Sequence, residues 1–235
     1  MKKFIAALLS CSCIMPCLFS CAADAPAESE SSSKVSRISS AELDPAILGT
    51  WFGDVTGYSF QDDRKVTLVM DMSDSVKFAK DGSVTVQGVD LVDGDVNISD
   101  DKITISHHYD DFDETLDIMT LERTDNGKGL NGRYKMVSGS YIKLISTNLG
   151  MLPENVSIEA EINDGKFMVY VVDYCDFEAN KGVLELFSVN MEYIDQNATS
   201  VKYTYTVDGD TLTLTYSDNT DSGSGLSEVL TRVKD

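Results

Sequence analysis

Val-Lys-Tyr-Thr-Tyr-Thr-Val-Asp-Gly-Asp-Thr-Leu-Thr-Leu-Thr-Tyr, residues 201–216, alternates apolar and polar side chains on either side of one turn dipeptide. Val201, Tyr203, Tyr205 and Val207 share one face of an extended chain. Leu212, Leu214 and Tyr216 continue that face beyond Asp208-Gly209. A period of two marks a half-buried strand, and Asp-Gly between two such runs marks a hairpin. The same pattern recurs upstream. Lys65–Met72 places Val66, Leu68, Met70 and Met72 together, and Asp81-Gly82 separates the short runs 76–78 and 84–86. Lys102–His107 turns Ile103 and Ile105 inward, and Glu114–Arg123 adds Leu116, Ile118 and Leu121. Lys166–Val172 is apolar on both faces, as a central strand is. Thr50–Tyr58 reads as one strand, and 145–154, with Gly150 and Pro153, as a loop or short helical turn. Short strands with turns roughly every 8–12 residues predict an all-β, antiparallel barrel or sandwich.

The pattern is written twice. Gly49-Thr50-Trp51 has an echo at Gly132-Arg133-Tyr134, 83 residues on, and Asp81-Gly82 has one at Asp164-Gly165 with the same offset. Near the end the offset becomes 109: residues 207–214 lie over 98–105, and Arg232 over Arg123. Two tandem β units are therefore expected, at 45–124 and 130–235, joined by the turn-rich residues 124–129. The second unit carries 26 extra residues at about 174–198. That insertion, with Phe177, Leu184, Leu186, Phe187, Met191 and Tyr193, is a candidate contact surface for a partner protein.

The ends of the chain have another character. Lys2 and Lys3 precede a mostly apolar run, Phe4–Phe19, shorter than the roughly 20 residues of a membrane-spanning helix. A positive start and a short apolar core fit a secretory leader over 1–20. The segment ends Leu18-Phe19-Ser20-Cys21, which resembles the lipobox of bacterial lipoproteins. That resemblance makes Cys21 the lipid-bearing first residue of the mature chain, placed on the extracytoplasmic face of the cell membrane. Leu8-Leu9-Ser10-Cys11 fits the same pattern but leaves only seven residues before it. Residues 21–44 are rich in Ala, Ser, Glu and Pro and read as a flexible tether, reaching roughly 25–30 Å on average. Four of the five cysteines lie in the leader or at its end, so Cys175 has no partner for a disulfide and reads as a small buried apolar residue.

Gly-x-Trp at the start of an antiparallel barrel, with Arg near its last strand, is similar to the lipocalin signature. The likeness is closer to the small, often duplicated lipocalin-like domains of bacterial lipoproteins. It implies that Gly49, Trp51 and Arg123 close the first unit and that Gly132, Tyr134 and Arg232 close the second, each arginine packing on the aromatic ring of its own unit. Domains of that kind generally have no assigned activity.

Charge and motifs narrow the function. The net charge of −20 becomes −22 without residues 1–20, which repels phosphate backbones; nucleic acid is not an expected partner. The chain has no nucleophile elbow, P-loop, zinc-protease helix or dinucleotide fingerprint, and no cofactor is expected. His107 and His108 point to opposite faces of a strand, and the acidic runs 90–101 and 217–221 lack the calcium-loop spacing. The expectation is a lipid-anchored, non-catalytic envelope protein binding a small ligand, a glycan or an envelope component. The alternative is a structural or protein-interaction module. A cleft joining His107 or Cys175 to a carboxylate would instead favour an enzyme.

Overall fold

The computed structural model describes residues 42–109, 114–187, 200–216 and 227–234. The leader, Cys21 and the tether up to residue 41 lie outside them, as do the acidic run 217–221 and, from the insertion, residues 188–198. Among the described residues are fifteen strands: β1 (Gly49–Phe52), β2 (Thr56–Phe60), β3 (Lys65–Asp71), β4 (Val76–Phe78), β5 (Val84–Val86), β6 (Val96–Ile98), β7 (Lys102–Tyr109), β8 (Glu114–Arg123), β9 (Gly132–Ser138), β10 (Ser157–Asn163), β11 (Lys166–Asn180), β12 (Val183–Phe187), β13 (Val201–Asp208), β14 (Thr211–Tyr216) and β15 (Ser227–Arg232). Among the described residues one α-helix, α1 (Ser140–Asn148), follows β9.

Eight of these strands close a barrel, in the order β1-β2-β3-β11-β12-β13-β14-β15 and back to β1. Every neighbouring pair is antiparallel. Closure leaves the barrel itself without a free edge, whereas β6 ends the sheet on the other side. Alternation puts Trp51, Phe60, Val66, Phe177, Leu184, Leu212, Leu214 and Leu230 inside, all buried.

The other lobe is the chain between β3 and the middle of β11. Its strands β10-β9-β8-β7-β6 continue outward from β11, in that order. The sheet forks on β11: residues 166–172 pair with β10, whereas 176–180 pair with β12. At the fork the register against β3 slips between Val171 and Cys175. Asp173 there is exposed and takes a left-handed φ of 52°. Such a bulge re-aims a strand, here from one core into another. The hairpin of β4 and β5 and helix α1 supply Val76, Phe78, Val84, Val86, Tyr141 and Ile145 to the second core, beside Ile103, Ile105, Ile118, Leu121, Ile158, Ile162 and Phe167.

The fold class is as expected, but two tandem units each closing on itself are not what the strands form. Residues 49–71 pair with strands from beyond residue 166, and β8 and β9 are direct neighbours across the joint at 124–131. The two sequence repeats merge into one 13-stranded sheet. The reason is the long β11, whose two halves serve different cores. Two smaller differences are also local. Thr50–Tyr58 is a hairpin rather than a strand, because the chain reverses at Gly53, whose N–H donates to Thr56 O at 2.8 Å. A regular helix stands ahead of the Gly150–Pro153 loop, because Tyr141 and Ile145, four apart, give it a buried face against β8.

Candidate functional site

The repeated triplets explain themselves in atomic detail. Trp51 on β1 lies opposite Arg232 on β15, and the guanidinium carbon stands 3.9 Å from the centre of the indole ring. Arg232 also donates to Leu48 O at 2.7 Å and Ala46 O at 3.0 Å, and Trp51 Nε1 donates to Ile47 O at 2.6 Å. A short 3-10 turn at Pro45–Ile47 is thereby held across the end of the barrel, with Ile47 fully buried. Gly49 belongs here because a Cβ would sit 2.8 Å from Arg232 Nη1, and because its φ is +112°. The second triplet repeats the device. Arg123 on β8 lies opposite Tyr134 on β9, 4.8 Å above its ring, and donates to Tyr134 Oη at 2.6 Å and Asp125 Oδ1 at 2.8 Å. A Cβ on Gly132 would fall 2.0 Å from Arg123 Nη1. That hydrogen bond, with the N–H groups of Arg133 and Gly127, holds the Asp125 carboxyl down to about 2.

The partners are exchanged relative to the expected pairing. Arg232, not Arg123, covers Trp51; Arg123, not Arg232, covers Tyr134. Each arginine occupies the strand beside its aromatic, and those strands come from the opposite sequence repeat. All six residues take part in closing β pairs.

The opposite end of the barrel is different. On β15, Glu228 lies four residues before Arg232 on the same inward parity, about 13 Å away along the strand. Tyr203 and Tyr216 face each other across β13 and β14, their rings 5.9 Å apart and edge-to-face. Tyr58 and Tyr174 complete the group, half-buried where the barrel core meets the second core. Burial, and then the charge on Glu228, push the Tyr203 hydroxyl up to about 12 and raise that of Tyr58. Burial likewise raises the Glu228 carboxyl and takes the Cys175 thiol up to about 12. Cys175 is therefore a thiol at neutral pH, buried beside the tyrosines and unsuited to nucleophilic attack.

Glu228 and Arg232 are the only charged side chains at inward positions of the eight barrel strands. Arg232 is fully engaged, whereas no hydrogen bond or ion pair among the described residues reaches Glu228. An ionised carboxylate in that position costs folding energy. Its folded pKa is raised, so the penalty is absent below the unfolded value, about 4.3, and develops as pH rises through the folded one. Glu228→Gln is expected to raise the melting temperature by about 1–4 °C at pH 7.5, a small gain because the group is partly solvated. The gain should vanish near pH 4; a uniform shift across that range would assign it to packing instead.

His107 does meet a carboxylate. Its Nδ1 lies 2.7 Å from Asp95 Oδ2, which also accepts the Val92 N–H at 2.9 Å. Burial works against the Asp95 charge, but these hydrogen bonds hold its carboxyl below the usual range. The His107 ring packs edge-to-face on Tyr109 at 4.5 Å, so the pair fastens the 89–95 loop to β7. His108 sits by Thr115 instead, 3.0 Å away. Among the described residues no three metal-ligating side chains converge.

Two concave spots lie elsewhere. One, of about 250 Å³, crosses the outer face of the sheet between Thr50, Ser59, Gln61, Thr67, Glu159 and Tyr170. The other, about 260 Å³, lies between Lys80, Lys128 and Asp164 in the second lobe. Neither includes an inward barrel residue.

No family model matches this chain, and no curated protein or solved structure matches it. No helix among the described residues is long and apolar enough to cross a membrane.

The tyrosine rim went unread in the sequence because Glu228 is masked by its neighbours in Ser-Glu-Val-Leu-Thr-Arg. Counting back by twos from Arg232 gives Leu230 and then Glu228. An acid on the core-facing parity was the available signal.

Proposed function

We propose that the chain is a non-catalytic binding protein of the cell envelope, held to the membrane by lipid on Cys21 and taking a small ligand at the tyrosine rim of its barrel. The observation that carries this reading is the rim itself: four tyrosines, with Tyr58, Tyr174 and Tyr203 half-buried and Tyr216 37% exposed, gathered at one end of a barrel whose remaining interior is filled. Half-buried aromatic rings offer large, rigid contact area at low entropic cost.

The position suits an anchored receptor. Asp44 is tied to the closed end: its N–H donates to Ala179 O at 3.0 Å, and its carboxylate accepts from Tyr205 Oη at 2.6 Å. A tether arriving there joins the barrel at the end away from the rim. The interaction-module alternative is weakened, because Phe177, Leu184 and Leu186 of the insertion are buried in the barrel core. A glycan on the outer face is the second reading, favoured by the hydroxyl row Thr50, Ser59 and Thr67, which are cross-strand neighbours.

Native mass spectrometry of the purified chain, with a lipophilic-dye titration, tests the rim. A one-to-one adduct or saturable dye binding is expected, weakened at least tenfold by Tyr203→Ala with Tyr216→Ala. Neither adduct nor saturation in the unaltered chain would end this reading. Binding unchanged by the two substitutions, but lost in Thr67→Lys, would move the site to the outer face.

A further inference from the structure

We infer that the rim selects an organic cation, a small alkylammonium ion whose charge is met by Glu228 and whose carbon surface is met by the faces of Tyr58, Tyr174, Tyr203 and Tyr216. This rests on the rim being the binding site. The argument begins with the barrel interior, where every inward position of the eight strands except 228 and 232 is uncharged. Arg232 is bound to its own plug. Glu228 alone brings a formal charge inside without a partner among the described residues, and a carboxylate partly withdrawn from water without a partner carries a penalty. Nothing among the described residues of the barrel gains from it.

Each class of ligand can be weighed against that carboxylate. An anion would meet it directly, beneath a surface field set by a net charge of −20. A neutral ligand would cover it further and deepen the penalty. A divalent metal needs about six or more oxygen ligands, usually with several carboxylates, and the rim has one. An alkylammonium ion fits all three features together. Its charge compensates Glu228, its weakly hydrated methyl or methylene surface loses little on leaving water, and the negative faces of tyrosine rings attract it. The geometry is suitable: Tyr203 and Tyr216 stand edge-to-face, presenting surfaces at different angles. Glu228 lies opposite Leu214, the next inward residue to Tyr216 on β14. Its Oε1 comes within 3.9 Å of where a Cβ on Gly53 would stand, so the carboxylate leans toward the β1–β2 turn.

The test compares choline with 3,3-dimethyl-1-butanol, which has the same shape and no charge. Both are titrated by calorimetry and ligand-observed NMR into the full chain, the Glu228→Gln variant and the Tyr203→Leu variant. Choline should bind the unaltered chain at least tenfold more tightly than the neutral alcohol, and its affinity should fall as salt is raised. Glu228→Gln should bring choline down to the level of the alcohol while melting no lower than the unaltered chain. Tyr203→Leu should weaken choline. Equal binding of the two ligands, or choline affinity untouched by Glu228→Gln, overturns the cation assignment. If both ligands bind equally and Tyr203→Leu weakens both, the rim survives as a site for neutral ligands. If neither ligand binds, the cation assignment falls whether or not the dye still saturates at the rim.

Discussion

Trp51→Ala loses about 3–5 kcal/mol of folding stability, toward the upper end of that range for a fully enclosed indole. Three losses coincide. The ring leaves a void under the plug at the closed end. The hydrogen bond from Nε1 to Ile47 O disappears, and with it the tie between β1 and the 3-10 turn. Arg232, 3.9 Å above the ring, loses the surface that shields it and is left against apolar neighbours. Against a typical total of roughly 5–15 kcal/mol, this is a substantial fraction of the fold. Urea denaturation followed by far-ultraviolet circular dichroism measures it, because the only tryptophan is the residue being removed. Trp51→Phe separates the terms: it keeps a ring beneath Arg232 and loses only the N–H and part of the volume, so it should cost clearly less. Choline affinity should be untouched in Trp51→Phe, since the rim lies at the other end of β15. An unchanged urea midpoint in Trp51→Ala would mean that Trp51 does not hold the closed end.

That pairing shows how far the sequence could be read. Period-two alternation located most of the strands; the Asp-Gly dipeptides at 81 and 164 sit in turns between paired strands, and Asp208 closes its strand opposite Thr211 just before the Gly209-Asp210 turn. These are local matters, decided by side-chain parity and turn geometry within a few residues. The Gly-x-aromatic triplets and their arginines were legible as a closing device for the same reason. Which arginine meets which ring was not, because it depends on β3 pairing with β11, about a hundred residues away. Alternation is the same for any partner, so it gives no address. The strand that decides the question is β11, and its signal is weak: one exposed Asp173 interrupts an otherwise regular inward series from Phe167 to Ala179. In the sequence that aspartate looks like an ordinary polar residue near a cysteine. In the fold it marks where one sheet becomes two.

The barrel strands, taken alone, run in sequence order around the ring: β1, β2, β3, β11, β12, β13, β14, β15. This is an up-and-down meander interrupted once, between β3 and β11, by the whole second lobe. The interruption occurs inside a hairpin, since Asp71 lies opposite Met168 and the Met72 N–H donates to Phe167 O at 2.8 Å. A duplicated chain and an inserted lobe predict opposite outcomes for dissection. Residues 45–124 hold only three of the eight barrel strands, and 130–235 hold the other five. Separately expressed, neither half can bury Trp51 beneath Arg232 or Tyr134 beneath Arg123. Each should lack a cooperative melting transition and collect in the insoluble fraction, a loss of essentially all folding stability. The opposite cut should fare better. Replacing 73–166 by an Asn-Gly turn joins β3 to β11 directly, in the loop length that favours antiparallel hairpins. All eight barrel strands remain. Phe167, Val169 and Val171 would lose their cover, and changing Phe167 and Val169 to Thr reduces the exposed apolar surface. That shortened chain should melt cooperatively at a lower temperature than the whole. Cooperative folding of 45–124 alone would show that the first repeat closes on itself, and the meander would then be the wrong account of how the barrel is made.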